Sequence, residues 1–302
     1  MMVPFIVAAK SSLSIDRQCK LLSIARSNYY YHLSKPLVLP DEAEITLRHR
    51  IQKLCLKWPS YGYRRITHQL QDEGCPINHK RVKRLMKEDN LLCLRRKPFV
   101  PATTDSRHGH RVYPNLAKGL ILTEPNQLWI ADITYIRLHR EFVYLAVILD
   151  GFSRRLIGWA LHRSINTQLT LEALQMALRS RPEIARGKGL IHHSDRGVQY
   201  ASGEYTAGLA HANICISMSR KGNPYDNAKA ESFMSTLKKE EIHMNEYASF
   251  DEVKSNLHRF LHEYNEHRLH SSIGYCAPTV FENHHKLSHY ASTLSTAFSV
   301  QE

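Results

Sequence analysis

Three carboxylates in the middle and second half of the sequence lie where local patterns predict ordered backbone. Asp132 interrupts the strand-like run 128–136, and Asp195 ends the run 189–195 just before a turn. Glu231 lies among apolar residues at roughly helical spacing, so we expect its side chain to point inward. An unpaired buried charge is costly, and proteins normally neutralise it, pair it or give it a metal ion. The three acids are therefore expected to share partners.

The elements that must position these acids form an α/β pattern. Short turns separate the first strand-like runs, which predicts an antiparallel meander. We predict strands near 128–138, 141–150, 154–161 and 214–218. Helices are expected from Asn166 or Thr167 to about Arg179 and over 202–212, and Asp226 or Asn227 is a candidate cap for the helix that carries Glu231.

Four motifs carry a resemblance to a known family. They are Trp129-Ile-Ala-Asp-Ile-Thr-Tyr135, His193-Ser-Asp-Arg-Gly-Val-Gln-Tyr200, Asp226-Asn-Ala-Lys-Ala-Glu-Ser-Phe233 and Tyr264-Asn-Glu-His-Arg-Leu-His270. In this order they resemble a bacterial insertion-sequence transposase of the downstream-frame type, within the retroviral-integrase-like DDE superfamily. The resemblance implies an α/β fold: a ribonuclease-H-like catalytic core, with a mixed five-stranded sheet and flanking helices, preceded by an all-α helix-turn-helix region.

The expected chemistry is metal-dependent transfer of DNA phosphodiesters. Carboxylate oxygens suit Mg²⁺ or Mn²⁺, and two such ions roughly 3.5–4 Å apart activate an attacking oxygen and stabilise the leaving one. Asp132, Asp195 and Glu231 are thus predicted to be both the catalytic residues and the metal ligands. Attack by water would cleave a strand at the element end, and attack by the resulting 3′-OH would join that end to another strand.

The resemblance also implies where DNA is held near these acids. Lys238 lies seven residues after Glu231, two turns along the same helix face, where similar enzymes hold terminal DNA phosphates. Asn227, Lys229 and Arg268 are further candidates for DNA contacts, although a capping role is an alternative for Arg268. The expected partners are element ends and target DNA, further copies of this chain on DNA, and an upstream-frame protein or a fusion with it.

Positive charge is concentrated in the first part of the chain. The whole sequence has a formal net charge of +13, and residues 1–112 hold 21 Lys and Arg against 9 Asp and Glu, a net charge of +12. Such an excess is typical of phosphate-backbone binding, although solvated charged faces and RNA binding are alternatives on charge alone. The richest segment is a predicted helix capped by Asn78, whose expected DNA-facing residues are Lys80, Arg81, Lys83, Arg84 and Lys87.

A second helix pair is predicted before this one. Short helices over 14–22 and 26–33 have helix-turn-helix spacing, which would bring Arg26 to base edges or phosphates. The alternative is a plain helical hairpin whose tyrosines form its core. We predict these domains: a helix-turn-helix-like segment over 1–38, a helical DNA-binding domain over 41–100, a basic linker over 101–120, the catalytic core over 121–283 and a tail over 284–302.

Other classes of protein are disfavoured by the sequence. No run approaches the roughly 20 apolar residues of a membrane span, and the first residues lack the basic segment of a secretory signal, so a cytoplasmic protein is expected. The six cysteines form no Cys-x-x-Cys pair, so neither a disulfide framework nor a zinc site is indicated. Two functional alternatives stay open: a catalytically silent DNA-binding regulator, and a nuclease without strand transfer.

Overall fold

The computed structural model describes residues 13–33, 41–91, 111–182, 189–220 and 227–299, with side chains described as far as residue 288. The chain divides into two compact units, Met1–Lys53 and Leu54–Glu302. Within the described ranges, none of the helices has both the length and the apolar composition of a membrane span. Residues 1–12 and 34–38 of the predicted N-terminal segment, and residues 101–110, half of the predicted basic linker, lie outside the described residues.

The first unit contains the predicted short helix pair. Helix α1 spans Ile15–Leu21 and helix α2 spans Arg26–Leu33. Ser14 caps α1 by accepting a hydrogen bond from the Arg17 N–H, as its residue type predicts. Tyr29 is buried, but Tyr30 and Tyr31 are exposed, so the alternative of a tyrosine core holds for one of the three rings.

Three longer helices follow. They are α3 (Glu42–Lys57), α4 (Tyr63–Asp72) and α5 (His79–Glu88). Asn78 caps α5 through a 2.8 Å hydrogen bond from the Lys80 N–H, and Val82, Leu85 and Met86 are buried as expected. Helix α3 buries Leu47, Ile51 and Leu54, whereas its apolar residues Ile45 and Leu56 are exposed. Its buried stripe is narrower than the sequence pattern.

The sheet confirms the predicted mixed five-stranded architecture. Its strands are β1 (Leu128–Arg137), β2 (Phe142–Asp150), β3 (Leu156–His162), β4 (Ile191–Ser194) and β5 (Cys215–Met218). Their order is β3-β2-β1-β4-β5, with the first three strands antiparallel and β4 and β5 added in parallel to β1. The predicted meander is therefore present, and β1 is the central strand.

Helices cover both faces of this sheet. They are α6 (Thr167–Ser180), α7 (Val198–Ala201), α8 (Gly203–His211), α9 (Ala228–Glu240), α10 (Phe250–Glu266) and α11 (Pro278–Ser299). Helix α6 packs very closely on β3, since a Cβ at Gly158 would clash with the Ala173 carbonyl oxygen. Helices α9 and α10 pack on the other face through Phe233, Leu237 and Leu257.

Helix α11 runs through the position where the sequence predicts the boundary between core and tail. Its Glu282 is fully buried, although the tail from residue 284 has low apolar content. The carboxylate accepts hydrogen bonds from Ser153 (2.6 Å), Arg155 (2.9 Å) and Arg181 (2.5 Å). Helix α11 is therefore tied to the segment after β2 and to the end of α6.

Candidate active site

Asp132 occupies the middle of the central strand, half-buried between the neighbouring strands. One carboxylate oxygen accepts a 2.9 Å hydrogen bond from the Ile133 N–H. Burial, and after it the negative charge of Asp195, raise the pKa of Asp132 to about 7. Glu231 adds to this rise, whereas the Ile133 N–H and the Lys238 charge oppose it. The acids predicted from the sequence therefore act on one another electrostatically.

Asp195 directly follows β4, the parallel neighbour of β1. The strands pair Leu128 with Ile191 and Ile130 with His193, and continuing this register by two residues places Asp195 level with Asp132. The Asp195 carboxylate accepts a 2.9 Å hydrogen bond from the Gly197 N–H. This contact fixes the turn that leads into α7.

Glu231 corrects one prediction. Its side chain is exposed rather than pointing inward, because the buried stripe of α9 consists of Ala230, Phe233, Met234 and Leu237. Glu231 lies beside that stripe, in the first turn of the helix, on the side facing the two aspartates. It is close enough to raise the pKa of Asp132. The acid thus reaches the site from the solvent side.

The three acids have the donor chemistry of a divalent-cation site without forming a closed cage. Among the described residues, no three His, Cys, Asp or Glu side chains are placed to hold a metal ion together. Burial and the charges of Asp195 and Glu231 raise the pKa of Asp132, and carboxylate oxygens in such a setting are hard ligands that suit Mg²⁺ or Mn²⁺. Glu231 must turn towards the aspartates to complete the set.

Lys238 lies at this site as its spacing predicts. Its ammonium is 5.2 Å from the centroid of the Tyr135 ring, a cation–π arrangement with the strand that carries Asp132. Its positive charge lowers the pKa of Asp132, although burial and the other acids outweigh it. Lys238 is therefore the cation that the described residues bring to the carboxylates.

Two other candidates have structural contacts at the start of α9. The Lys229 ammonium donates a 2.7 Å hydrogen bond to the Gly151 carbonyl oxygen, and burial lowers its pKa. Asn227 occupies the N-cap position but makes no capping hydrogen bond, contrary to the expected cap. Its Oδ1 atom is buried without a hydrogen-bond partner among the described residues. The alternative cap, Asp226, lies outside them.

Arg268 is a further residue that the sequence predicts to contact DNA. Its side chain is only 3% exposed, and its guanidinium makes two 2.7 Å hydrogen bonds to the two carboxylate oxygens of Glu240. This paired geometry holds the guanidinium at the end of α9. The ion pair with Glu240 differs from the capping role that was the sequence alternative, and the DNA contact stays a prediction.

The predicted DNA-reading residues of the N-terminal part are all presented to solvent. Arg26 is exposed, and so are the five basic residues of α5, Lys80, Arg81, Lys83, Arg84 and Lys87. Arg84 pairs with Glu88 at 3.0 Å, and the Lys83 ammonium lies 5.5 Å from the centroid of the Tyr63 ring. The opposite face of α5 is buried, so the helix presents a continuous basic surface.

A contact between the α4 region and the core was not predicted from the sequence. The Tyr61 hydroxyl accepts a 2.8 Å hydrogen bond from the Leu269 N–H, next to the Arg268–Glu240 pair. The His68 ring also stacks on Tyr275, with centroids 3.9 Å apart. The run of aromatic and basic residues from Tyr61 to Arg65 is a signal for such a contact, but it does not specify the partner.

Comparisons with known proteins agree with this architecture. Models described as integrase core domain match residues 123–224 and 212–278, and one described as HTH-like domain matches residues 41–99. An uncharacterized 31 kDa protein of insertion element IS600 from Shigella sonnei is 36% identical over 274 residues, covering 89% of this chain and 99% of the relative. The transposase InsF for insertion sequence IS3A from Escherichia coli is 34% identical over 290 residues, covering 92% and 97%.

Solved structures with partial similarity include a simian T-cell lymphotropic virus intasome, with a TM-score of 0.44, 17% identity and coverage of 72% of this chain and 70% of that one. The catalytic domain of the Mos1 mariner transposase has a TM-score of 0.38 and 15% identity, covering 45% and 70%.

Fold and acids together define an integrase-core enzyme of the DDE type, with a ribonuclease-H-like sheet and an HTH-like domain before it. The chain belongs to the IS3 family of insertion-sequence transposases.

Proposed function

We propose that this transposase cleaves DNA strands at the ends of its insertion element and joins the freed ends to target DNA. The observation that supports the proposal is the register of β1 and β4, which sets Asp195 beside Asp132, with Glu231 and Lys238 of α9 close enough for their charges to act on Asp132. Glu231 would complete the set of three carboxylates by turning towards the aspartates. Three carboxylates of this kind would serve phosphoryl transfer with divalent cations.

Asp132, Asp195 and Glu231 are the residues that would hold Mg²⁺ or Mn²⁺, as two ions. When bound, such ions lower the pKa of an attacking oxygen and stabilise the charge that develops at phosphorus. Asp132 lies on β1 and Asp195 directly follows β4, the strand paired in parallel with β1, so the sheet brings the two aspartates close together. Glu231 closes the site from its exposed position on α9, and Lys238 holds a DNA phosphate beside the acids.

Selection of the element ends is assigned to the N-terminal part. The exposed basic face of α5 fits the major groove as a recognition helix, with Lys80, Arg81, Lys83, Arg84 and Lys87 reaching phosphates or base edges. Arg26 at the start of α2 is exposed, and we propose it as a second DNA contact. Lys229 and Asn227 lie next to Glu231 and would add contacts only by giving up their present positions.

The proposed assembly follows from the reaction. Two element ends must be processed together, so we expect two or more copies of this chain on DNA. An upstream-frame protein, as a partner or as a fusion, is the second proposed partner. We place the activity in the cytoplasm, where the chromosome of a bacterium lies.

A single assay tests the proposal. Purified full-length protein is mixed with a labelled element end, unlabelled target DNA and Mg²⁺, and the products are separated by size. Joined product is expected. Nicked product without joining would indicate a nuclease, and binding without any product would indicate a silent regulator. Repeating the assay with the upstream-frame protein tests whether that partner is needed.

A further inference from the structure

A cavity of about 560 Å³ lies beside the candidate active site, on the far side of Lys238. It is built from the end of β1, the start of β2 and the segment after α9. Its lining includes the rings of Tyr135, Phe142 and Tyr247, the cations Arg137 and Lys238, and one acid, Glu246. The cavity therefore combines aromatic rings with an excess of positive charge.

One of the aromatic rings of the cavity is exposed. Phe142 is 48% exposed at the beginning of a strand whose other residues are mostly buried. Its ring meets that of Tyr135 edge-on, with centroids 5.7 Å apart, and the Lys238 ammonium lies 5.2 Å from the centroid of Tyr135. Exposed rings beside fixed cations are the features with which proteins bind unpaired nucleotides, because every base offers a face for stacking.

Tyr247 is held by hydrogen bonds among the residues that line the cavity. Tyr247 is buried, and its hydroxyl donates a 2.8 Å hydrogen bond to Glu241. The His139 N–H donates to the Tyr247 carbonyl oxygen at 3.3 Å, joining the β1–β2 turn to the segment after α9. The cavity is thus formed by ordered elements from two parts of the chain.

Lys238 relates the cavity to the candidate active site. It lines the cavity, its ammonium lies 5.2 Å from the centroid of the Tyr135 ring, and its charge acts on Asp132. The strand itself does not make this link, because Tyr135 follows Asp132 by three residues and side chains at an odd spacing leave a strand on opposite faces. A DNA strand whose phosphate lies at Lys238 would therefore bring a neighbouring base to the cavity.

We infer that this cavity binds an unpaired nucleotide of the DNA end, with its base stacked on Phe142 and Tyr135 and its phosphate near Arg137 and Lys238. The inference rests on the proposed function, because it assigns a further part of the same substrate. It implies that the protein distinguishes an opened DNA end from a fully paired one.

The test compares two duplexes of the same sequence bound by the full-length protein, one blunt and one with its last three bases on one strand unpaired. Phe142→Ala should weaken binding to the unpaired end by roughly 5- to 150-fold, the range of one lost base stack, and leave binding to the blunt duplex unchanged. Phe142→Trp should restore the preference. Leu287→Ala, at another exposed apolar residue, should change neither affinity.

Binding is measured in a chelator, so the result does not depend on cleavage. If the wild-type protein makes no product but Phe142→Ala still weakens binding to the unpaired end, the proposed function is wrong and nucleotide binding by the cavity is supported. If the wild-type protein is active but Phe142→Ala binds both duplexes normally, or loses affinity for both equally, the cavity does not bind an unpaired nucleotide. If Phe142→Ala changes the oligomeric mass but not the preference for the unpaired end, the inference is also wrong, because the cavity is then a contact between copies of the chain.

Discussion

At the scale of single residues, the main feature of the site is that the environment of Asp132 opposes the negative charge of its carboxylate. Burial and two neighbouring acids raise its pKa to about 7, while a lysine and one backbone N–H act in the other direction. A carboxylate of this kind gains most from a bound cation. Its substitution should therefore affect catalysis and stability in opposite directions.

Removing any one acid should abolish the reaction. Asp132→Asn, Asp195→Asn and Glu231→Gln are each expected to lower cleavage and joining by at least a factor of a hundred, because each removes an oxygen ligand without removing volume. DNA binding measured by gel shift should persist. Glu204→Gln, at an acid in the first turn of α8, is the matched control and should be active. Near-normal turnover in a triad variant would rule out that residue as a ligand.

The raised pKa of Asp132 predicts a pH-dependent gain of stability in Asp132→Asn. The ordinary pKa of 3.8 applies to the unfolded chain, so between pH 3.8 and about 7 the folded protein retains a proton that the unfolded chain has lost. Wild-type stability therefore falls over this window by up to about 1.4 kcal/mol per pH unit. In chelator, the difference between variant and wild type should grow up to pH 7 and then stay constant.

This stability difference is measured by urea unfolding at pH 4, 6 and 8. Addition of Mg²⁺ at pH 8 should stabilise the wild type and reduce the difference. A difference that is the same at pH 4 and pH 8 would contradict the assigned environment of Asp132.

Lys238 should matter for holding the DNA end and little for folding. Lys238→Ala removes a cation beside the acids, so it is expected to weaken binding to a cleaved element end by about tenfold, with an unchanged circular dichroism spectrum. Lys239→Ala, at the exposed neighbour on the same helix, is the control and should bind normally. Equal effects of the two substitutions would show that position along α9 does not matter.

At the scale of elements, helix α9, which carries Glu231, is fixed at both ends. Near its start Lys229 donates to Gly151, and at its end Glu240 pairs with Arg268. Next to that pair, Leu269 donates to the Tyr61 hydroxyl, which belongs to the segment leading into α4. The HTH-like helices α4 and α5 and the helix that carries Glu231 thus converge on one short segment of the chain.

Arg268→Met should destabilise the protein by about 3–5 kcal/mol, because it leaves the Glu240 charge buried without its partner. The double variant Glu240→Gln/Arg268→Met should recover much of this loss, since the uncompensated charge is gone. Free energies of unfolding from denaturant titrations measure both. If Arg268→Met instead left stability unchanged and weakened DNA binding, the DNA contact predicted from the sequence would be the correct role.

At the scale of the whole molecule, charge is divided unequally along the chain. Residues 1–112 carry a net charge of +12, whereas the remaining residues hold 20 Lys and Arg against 19 Asp and Glu. Counterion release on DNA binding should therefore arise mainly from the first part. The basic face of α5 is the largest exposed contribution that the described residues show there.

Salt dependence tests this division in the full-length protein. Each of Lys80→Ala, Lys83→Ala and Lys87→Ala should reduce the slope of log affinity against log salt by about 0.9 if that lysine neutralises one phosphate of duplex DNA. Lys118→Ala, in the second part, should leave the slope unchanged. Weakening on all sequences indicates a phosphate contact, and relaxed preference at one base pair indicates base reading. Equal slopes for all four variants would contradict the division.

The sequence by itself determined whatever depends on neighbours along the chain. The buried and basic faces of α5 follow from helical periodicity, and the Asn78 cap follows from its residue type. Short turns between apolar runs specified the β1–β2–β3 meander. The identity of Asp132, Asp195 and Glu231 followed from motif order, and the structure brings their charges together.

Only the tertiary structure decided how helices are rotated against the sheet and which distant side chains meet. Helical spacing placed Glu231 near the apolar stripe of α9, but the rotation of α9 on the sheet left it exposed. Arg268 is buried in an ion pair with Glu240, and Glu282 is buried in an ion pair with Arg181. Such pairs join residues 28 and 101 positions apart. Packing sets these contacts, so no local pattern specifies them.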